Sequence, residues 1–579
     1  MNDYNGSRSH FSETVGQAYL DKIDRLEKGI TRDETGEGQF IVLPLEAGIG
    51  KSRQTDRILG EYFKKRGQGK SLRNMLVLKR FKEDVVECVD RINAPQHNLF
   101  LPPAVGITSD NWQDWKDRLD ELVFFNVVVT THERYRRLSI DTVARAFFTY
   151  RRHTLIVDEA LDVPMVFFSE YEYRTAQNIL PVALHPSLHS VCQGLLNELT
   201  EQGERQKKSG NTILRCRPKG DVKEVDRFLS DIEANRLNLT DPGRLETLKK
   251  FTKGLRVLYT SQCLYNGERI ATLDTTIERW TLKNNIILDA NGIIDKQYKF
   301  DTGIKVDRQK PIIDHSNWTL HQVPFNASMR NIGRTENFFE KITQSIVGHK
   351  GSHNKTLVVT QLRFEDTVRD SLNILGAENI EVAHHGAIIG KNYWRDFDQV
   401  WVITNPTYRM ETYPLLWQAA TRLPLGRKNL QMTSVKGVKG RFSFRNREFE
   451  QMRVSKVVSE LYQSIKRINR DNIKKSEVFI VTADNAVIEK LLPYLPGIQV
   501  RESIPLDFSY KGAQQRETRH SRSEKVADYL MTLEVGIYSK KDIYTALGID
   551  KTNFGKYLKI RANQAIAGSG TDTNQCPKN

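Results

Sequence analysis

The chain has 579 residues, and at about 150 residues per domain this length predicts roughly three or four folding units instead of one core. Apolar residues make up 39% of the sequence and charged residues 27%, a balance typical of folded proteins that excludes global disorder. The 87 Lys and Arg outnumber the 71 Asp and Glu, and the net charge of +16 favours a polyanionic partner such as nucleic acid, although a solvated basic surface has the same composition.

The cysteines and the N-terminus indicate a cellular setting. The sequence contains five scattered cysteines and no CxxC pair, a pattern that indicates neither a disulfide framework nor a local zinc site: Cys88, Cys192, Cys216, Cys263 and Cys576. The first 20 residues have no apolar core of signal-peptide length, and no later apolar run approaches the ~18 residues of a membrane span. We therefore expect a soluble, intracellular, cytoplasmic protein with no membrane partner.

The first half of the chain predicts a parallel α/β domain over residues 37–295, after a polar lead at 1–36 with an amphipathic stretch. From Phe40 to Asp158, β-rich runs such as NMLVLKR, NVVVTTHERY and TLIVDEA alternate with helical patterns. This alternation is typical of a parallel sheet covered by helices. Between about 165 and 280 long polar, helix-like stretches replace it, which predicts a largely helical insertion.

The second half predicts another parallel α/β domain over residues 296–510. A strand-like signal returns at NNIILDANGIID, and alternation resumes through KTLVVTQ, NIEVAHHG, QVWVITNP and EVFIVTAD. A charged linker at 511–522 then precedes a compact helical module and tail at 523–579.

A candidate phosphate loop follows the first strand. The segment consists of Glu46, Ala47, Gly48, Ile49, Gly50, Lys51 and Ser52. Between a strand and a helix, such a glycine-rich turn points backbone N–H groups at phosphates, while Lys51 reaches the β- and γ-phosphates and Ser52 ligates magnesium. The segment therefore predicts binding of ATP and Mg²⁺, against the alternative of an ordinary glycine-containing turn.

Two adjacent carboxylates end a later apolar run. Asp158 and Glu159 follow Leu155-Ile156-Val157, where Asp158 can hold magnesium and Glu159 can polarise the water that attacks the γ-phosphate. An Asp-Glu pair after a strand is also common as a helix N-terminal charge pair. Combined with the phosphate loop, the pair predicts ATP hydrolysis.

These segments resemble superfamily 2 helicases, in which two RecA-like domains hold ATP between them. EAGIGKS looks like motif I, DEAL like a variant of the DEAD/DEAH box, MLVLKR like motif Ia, and LDAN like motif III. The resemblance places Thr130 and Thr131 of VVVTTHERY at the nucleic-acid backbone. HHGAIIGKN resembles a motif V loop, which makes Gly390 and Asn392 available to the nucleic acid or the nucleotide, although an ordinary glycine-rich turn is an equal reading.

In this family, motif VI brings positive charge from the second domain to the γ-phosphate. The segment QSIKRINR offers Gln463, Arg467 and Arg470 at i, i+4 and i+7 on one helical face, just before a strand. The competing segment QAATRLPLGR offers Gln418 and Arg422, but a proline interrupts its helix. We favour the first segment, for which a solvated basic helix is the alternative.

Three short amphipathic segments near the C-terminus resemble a helix-turn-helix. Their apolar positions are Ile543, Leu547, Ile549, Phe554 and Leu558. The polar side chains expected to meet DNA are Lys551, Asn553, Lys556 and Lys559. A protein-docking module is the alternative.

Together these features predict an ATP-dependent DNA helicase or translocase. The helicase core with this tail resembles replication or maintenance proteins of plasmids and other mobile elements. The alternatives are an RNA helicase, or an ATP switch whose helical insertion binds a protein partner without unwinding nucleic acid.

Overall fold

The structure, a computed structural model, describes most of the chain: residues 16–64, 72–96, 102–235, 241–274, 276–351, 353, 355–388, 390–391, 393–434, 442–470, 472–509, 526, 529–530, 532–533, 537–551, 554 and 575–577. The chain divides into two compact units. The first comprises Met1–Gly333 and Phe338–Asp507, and the second comprises Arg334–Asn337 and Phe508–Asn579.

A seven-stranded, fully parallel sheet organises the N-terminal part of the first unit. Its strands are β1 Phe40–Leu43, β2 Asn74–Lys79, β3 Ala104–Ile107, β4 Val127–Thr131, β5 Arg152–Asp158, β10 Asn284–Leu288 and β11 Ile304–Val306. They lie in the order β11-β1-β10-β5-β2-β4-β3. The inner strands are largely apolar because helices cover both faces of the sheet, whereas the edge strand β11 carries the exposed Lys305.

The helices of this domain pack against alternate residues of the strands. One face of the sheet carries α1 Gln17–Ile30, α2 Lys51–Lys64 and α3 Lys82–Asn93. The opposite face carries α4 His132–Ile140, α5 Thr142–Thr149 and α10 Lys296–Phe300. The result is the three-layer α/β sandwich that the sequence predicted.

A second parallel sheet has six strands. They are β12 Trp318–Val323, β13 Thr356–Thr360, β14 Ile380–His384, β15 Gln399–Val402, β18 Ser476–Val481 and β19 Gln499–Val500, in the order β14-β13-β15-β18-β12-β19. The longer helices of this region are α11 Phe338–Lys350, α12 Glu365–Ile374, α13 Thr412–Thr421, α14 Arg447–Ile465 and α15 Asn485–Leu491. A separate antiparallel pair is formed by β16 Met432–Ser434 and β17 Phe442–Phe444. The fold class is therefore α/β with two parallel sheets, as predicted. Strand β11 pairs with β1, so residues 296–306 belong with the first sheet.

The insertion between β5 and β10 contains a small antiparallel sheet in addition to helices. Its helices are α6 Glu170–Ile179, α7 His185–Ser209, α8 Val222–Ala234 and α9 Pro242–Thr260. Its strands are β6 Met165–Phe168, β7 Leu214–Cys216, β8 Cys263–Tyr265 and β9 Ile270–Leu273, in the order β6-β9-β8-β7. The prediction of a largely helical insertion missed these strands, because strands of three or four residues are too short to show an alternating pattern.

The insertion shares a hydrophobic core with the second parallel-sheet domain, and we call this core the bridging core. The insertion contributes Ile213, Leu264, Ala271 and Leu273, and the second domain contributes Tyr413, Leu415, Leu416, Trp417, Ala420, Leu425, Leu430, Phe444, Phe449 and Met452. A buried ion pair lies beside it, in which Arg269 Nε lies 2.7 Å from Oε1 of the fully buried Glu411. In the sequence the insertion interrupts the first domain, but in the structure it packs against the second domain.

In the second unit, a small apolar cluster is formed by Val526, Leu530, Ile543, Ile549 and Phe554, with Leu547 packed against it. The predicted apolar positions within the described residues therefore do form a core. The described elements are α16 Lys540–Ala546 and the antiparallel strands β20 Ile537–Ser539 and β21 Gln575–Pro577, a strand pair that the sequence did not predict. Lys551 is exposed, whereas Asn553, Lys556, Leu558 and Lys559 lie outside the described residues.

Within the part of the chain that the structure describes, no helix combines the length and apolar character that crossing a membrane requires.

Candidate active site

The candidate phosphate loop joins β1 to α2, which begins at Lys51. Gly48 and Gly50 have φ angles of 97° and 80°, in the left-handed region that side chains disfavour. The backbone carbonyl of Arg470 would lie 3.7 Å from a Cβ at Gly48, so the second domain closely approaches the loop. The Ala47 amide donates to the Tyr462 hydroxyl at 3.4 Å, which adds a second contact between the domains.

Glu46 anchors this loop and does not line the cavity beside it. Its carboxylate accepts the backbone N–H groups of Ile312 and Ile313 at 2.9 and 3.2 Å, and it lies 3.2 Å from Lys22 Nζ. The sequence assigned Glu46 to nucleotide binding. Its carboxylate therefore supports the loop from the side away from the cavity, and a role of Glu46 in nucleotide binding stays a prediction.

The two predicted carboxylates stand at the end of β5. Glu159 has a φ of 72°, a conformation that costs a non-glycine residue about 1–3 kcal/mol, and its amide donates to Leu288 O at 3.0 Å. Burial raises the pKa of Glu159 above its ordinary value. Burial would also raise the pKa of Asp158, but the positive charges of Lys79 and Lys51 bring it below its ordinary value.

Lys79, at the end of β2, contacts this carboxylate pair although sequence reasoning gave it no role. Its ammonium donates to Asp158 Oδ2 at 3.0 Å and to Asp56 Oδ1 at 3.2 Å. Burial alone would lower the pKa of Lys79, but Asp158 and Asp56 raise it well above its ordinary value. The sequence did contain a signal, because Lys79 ends an otherwise apolar strand. The parallel strand β5 ends in Asp158, so the two charged residues lie at the same end of the sheet.

The predicted arginines reach the same place from the second domain. Helix α14 ends at Ile465, so Arg467 and Arg470 lie in the following turn, and the prediction of one continuous helical face is wrong. Arg467 donates to Gln463 Oε1 at 2.9 Å, and both arginines donate to Lys391 O at 3.3 Å. Burial lowers the pKa of Arg467, and it lowers the pKa of Arg470 to about 9.

These groups surround one cavity of about 440 Å³ between the two sheets, within the usual size range of small-molecule sites. The predicted residues that line it are Ala47, Gly48, Ile49, Gly50, Lys51, Ser52, Asp158, Glu159, Gly390, Gln463, Arg467 and Arg470. Its lining contains eight Lys and Arg against four Asp and Glu, which suits a polyanion such as a triphosphate. Gly390 lies against Phe81 of the first domain, and Asn392 lies outside the described residues.

Tyr19 also lines the cavity and was not recognised in the sequence. Its hydroxyl donates to Ile49 O at 3.4 Å and accepts from Gln54 Nε2 at 3.1 Å. Its only sequence signal was its position in the amphipathic stretch that becomes α1. A helix outside the parallel sheet therefore supports the phosphate loop.

The competing arginine segment lies elsewhere. Gln418 and Arg422 line a separate cavity of about 750 Å³, together with Arg279 and Asp301. Arg422 follows α13 with a φ of 56°. Among the described residues, the cavity beside the phosphate loop includes neither Gln418 nor Arg422, which supports the choice of Arg467 and Arg470.

Of the two threonines assigned to nucleic-acid contact, Thr130 is fully buried and donates its hydroxyl to Ile107 O at 2.7 Å. Its assignment is therefore wrong, because the hydroxyl joins two strands of the sheet. Thr131 is half-buried and caps α4 by accepting from the Arg134 amide at 3.2 Å.

Magnesium fits the oxygen donors present. Ser52 and Asp158 would hold the ion, and Asp158 Oδ1 is buried without a hydrogen bond to any residue that the structure describes. Hydroxyl and carboxylate oxygens are the ligands that Mg²⁺ takes beside nucleotide phosphates. When bound, the ion would neutralise charge on the phosphates.

No family model matches the sequence, and no curated protein matches it. Among solved structures, Mycobacterium smegmatis helicase Lhr bound to ssDNA and AMP-PNP is 11% identical, with 99% of this chain and 60% of that chain covered and a TM-score of 0.36. S. cerevisiae Dbp5 bound to RNA and ADP BeF3 is 9% identical, with 85% and 95% covered and a TM-score of 0.38. The DUF1998 helicase MrfA bound to DNA is 7% identical, with 99% and 58% covered and a TM-score of 0.38. This chain thus spans about 60% of the Lhr chain.

Proposed function

We propose that this protein is a nucleic-acid-stimulated ATPase of the helicase type that moves on DNA. The observation that carries the proposal is the convergence of three groups on one cavity: the phosphate loop, the Asp158-Glu159 pair and the two arginines of the second domain. A site that stabilises a transferring phosphoryl group needs these three kinds of group.

Each group has a distinct task in the proposed reaction. The loop amides and Lys51 bind the β- and γ-phosphates of ATP. Glu159 orients and polarises the attacking water, and Arg467 and Arg470 stabilise the charge that develops on the γ-phosphate. Since the arginines and the loop belong to different sheets, a γ-phosphate favours a closed cleft, and its release favours an open one.

DNA is the proposed polymer because the basic composition suits a polyanion and the C-terminal sequence resembles a helix-turn-helix. That resemblance also makes replication or maintenance of a plasmid or other mobile element the proposed setting. If the protein is an RNA helicase, RNA should stimulate ATP turnover more than DNA does. If it is an ATP switch that binds a protein partner, no nucleic acid should stimulate turnover.

The test is ATP turnover measured without polymer and with single-stranded DNA, duplex DNA and single-stranded RNA, with Lys51→Ala as the inactive control. We expect DNA to stimulate the wild-type rate more than RNA does. Stronger stimulation by RNA would support an RNA helicase, and equal rates in all four conditions would support the switch.

A further inference from the structure

Lys79 lines the cavity and contacts the two elements that carry Ser52 and Asp158, the side chains that would hold magnesium. Asp158 ends β5, whereas Asp56 lies on α2 one turn after Ser52. The Lys79 ammonium contacts both carboxylates and is 3% exposed. It therefore joins the helix that carries Ser52 to the strand that carries Asp158.

Asp56 has two further hydrogen-bond donors besides Lys79. Asp56 is fully buried, accepts from Arg91 Nη1 at 3.1 Å, and receives a hydrogen bond from Cys88 Sγ at 3.1 Å. Stability alone explains such a cluster poorly, since replacing buried ion pairs by packed apolar side chains is often neutral or stabilising.

The two oxygens of Asp158 have different surroundings. Oδ2 accepts from Lys79, whereas Oδ1 is buried without a hydrogen bond to any described residue. We propose that Lys79 is a positioning residue for ATP hydrolysis: its ammonium occupies one oxygen of Asp158 and leaves the other for the magnesium ion that enters with the nucleotide. This inference rests on the proposed function.

The charge of Lys79 has a second effect. Together with Arg91, which pairs with Asp56, it offsets the negative charges of Asp56 and Asp158, so that a divalent cation alone gains little by entering between them. Without Lys79, Arg91 alone would balance two buried carboxylates, and the remaining negative charge would attract such a cation to a position away from the phosphates. Lys79 thus makes metal entry depend on the nucleotide.

The first experiment tests metal binding without nucleotide, with Mg²⁺ alone as the probe. We expect the unfolding midpoint of Lys79→Met to rise with Mg²⁺ concentration, because a ligand that binds only the folded state stabilises it. Wild type and Lys82→Met, which removes an exposed lysine paired with Asp110, should not respond. A Lys79→Met protein as insensitive to Mg²⁺ as wild type would overturn the proposal.

The second experiment uses Lys79→Met combined with Asp56→Asn, which removes one charge of each sign and so limits destabilisation. We expect kcat to fall roughly 10–100-fold, the usual loss when the partner of a metal-binding carboxylate is removed, with KM for ATP unchanged. Binding of a fluorescent ADP in EDTA should also match wild type. A wild-type kcat in this variant would overturn the proposal, because Lys79 would then serve stability alone. Failure of wild type to hydrolyse ATP would instead contradict the proposed function, while the Mg²⁺ experiment would still report on Lys79.

Discussion

At the scale of single residues, Lys51 and Glu159 serve different steps of the proposed reaction. Lys51→Ala should weaken ATP binding roughly tenfold or more, since a hydrogen bond to a charged group contributes about 1.5–3 kcal/mol. Glu159→Gln should keep ATP bound while slowing turnover about 10²–10⁴-fold, because it removes the group that polarises water. Nucleotide-binding and turnover assays in parallel separate the two steps, and normal turnover in either variant would contradict the assigned site.

Arg467 and Arg422 form a matched pair, since each follows a helix of the second domain but only Arg467 lines the cavity beside the phosphate loop. Arg467→Ala should reduce kcat by a factor on the order of 10³ and spare ATP affinity, as expected for an arginine that stabilises the transition state. Arg422→Ala should reduce kcat less. If Arg422→Ala proves the more damaging in steady-state assays, the motif VI function belongs to the earlier segment.

Glu477 and His353 predict a pH dependence of stability away from the active site. His353 Nε2 lies 2.9 Å from Glu477 Oε2, and His321 Nε2 lies 3.7 Å from Oε1. The nearby His321 ring and the hydrogen bond with His353 lower the pKa of Glu477, and the bond to Glu477 raises the pKa of His353. Because the pKa of Glu477 is lower in the folded state, this group stabilises the fold at pH values above its unfolded pKa of about 4.3. Because the pKa of His353 is higher in the folded state, its contribution to stability is complete at pH values below its unfolded pKa of about 6.5.

The pair therefore contributes most between these two pH values, and its contribution falls as pH rises through the folded pKa of His353. Glu477→Gln should lower the unfolding midpoint more at pH 5.5 than at pH 8.5. Glu378→Gln, at an exposed position, should show no such difference. Equal shifts of Glu477→Gln at both pH values would contradict the assignment.

At the scale of elements, two ion pairs link the insertion to the second domain and differ in burial. Glu411 is fully buried against Arg269, whereas Glu268 pairs with Arg409 at the surface. Glu411→Ala should lower the free energy of unfolding by about 3–5 kcal/mol, because it leaves a partly buried guanidinium without its partner. Glu268→Ala should cost at most about 1 kcal/mol. Chemical denaturation measures both changes, and equal losses would show that the buried pair is not the stronger link.

The sequence predicted those elements whose signals are local. The apolar strands and the phosphate loop carry their own patterns, and the loop lies where expected because a glycine turn after a strand must meet a helix N-terminus. The end of α14 was missed because distant contacts set it: the Asn469 amide donates to Phe397 O at 2.8 Å, and its side chain donates to Lys474 O at 2.7 Å. The role of Lys79 likewise depends on strands brought together only by folding.

At the scale of the whole molecule, the C-terminal unit is expected to add duplex binding that hydrolysis does not require. Ending the chain before Ser523 should preserve ATPase activity while weakening duplex affinity. The slope of log affinity against log salt should flatten by roughly 0.9 for each DNA phosphate that the shortened protein no longer neutralises. Filter binding over a salt series measures this change. If the shortened protein keeps the same salt slope but no longer binds a protein partner, the C-terminal unit is a docking module.

The bridging core also constrains how the protein is made. Leu273 of the insertion precedes its partner Tyr413 by about 140 positions, so a ribosome adding about 5–20 residues per second needs roughly 7–28 s to supply the second half of this core. During that interval the nascent chain presents the apolar face of the insertion without its cover. We expect chaperones to bind the nascent chain at this stage of synthesis. Expression of the first domain alone should yield aggregates, because the residues that cover the apolar face of the insertion belong to the second domain.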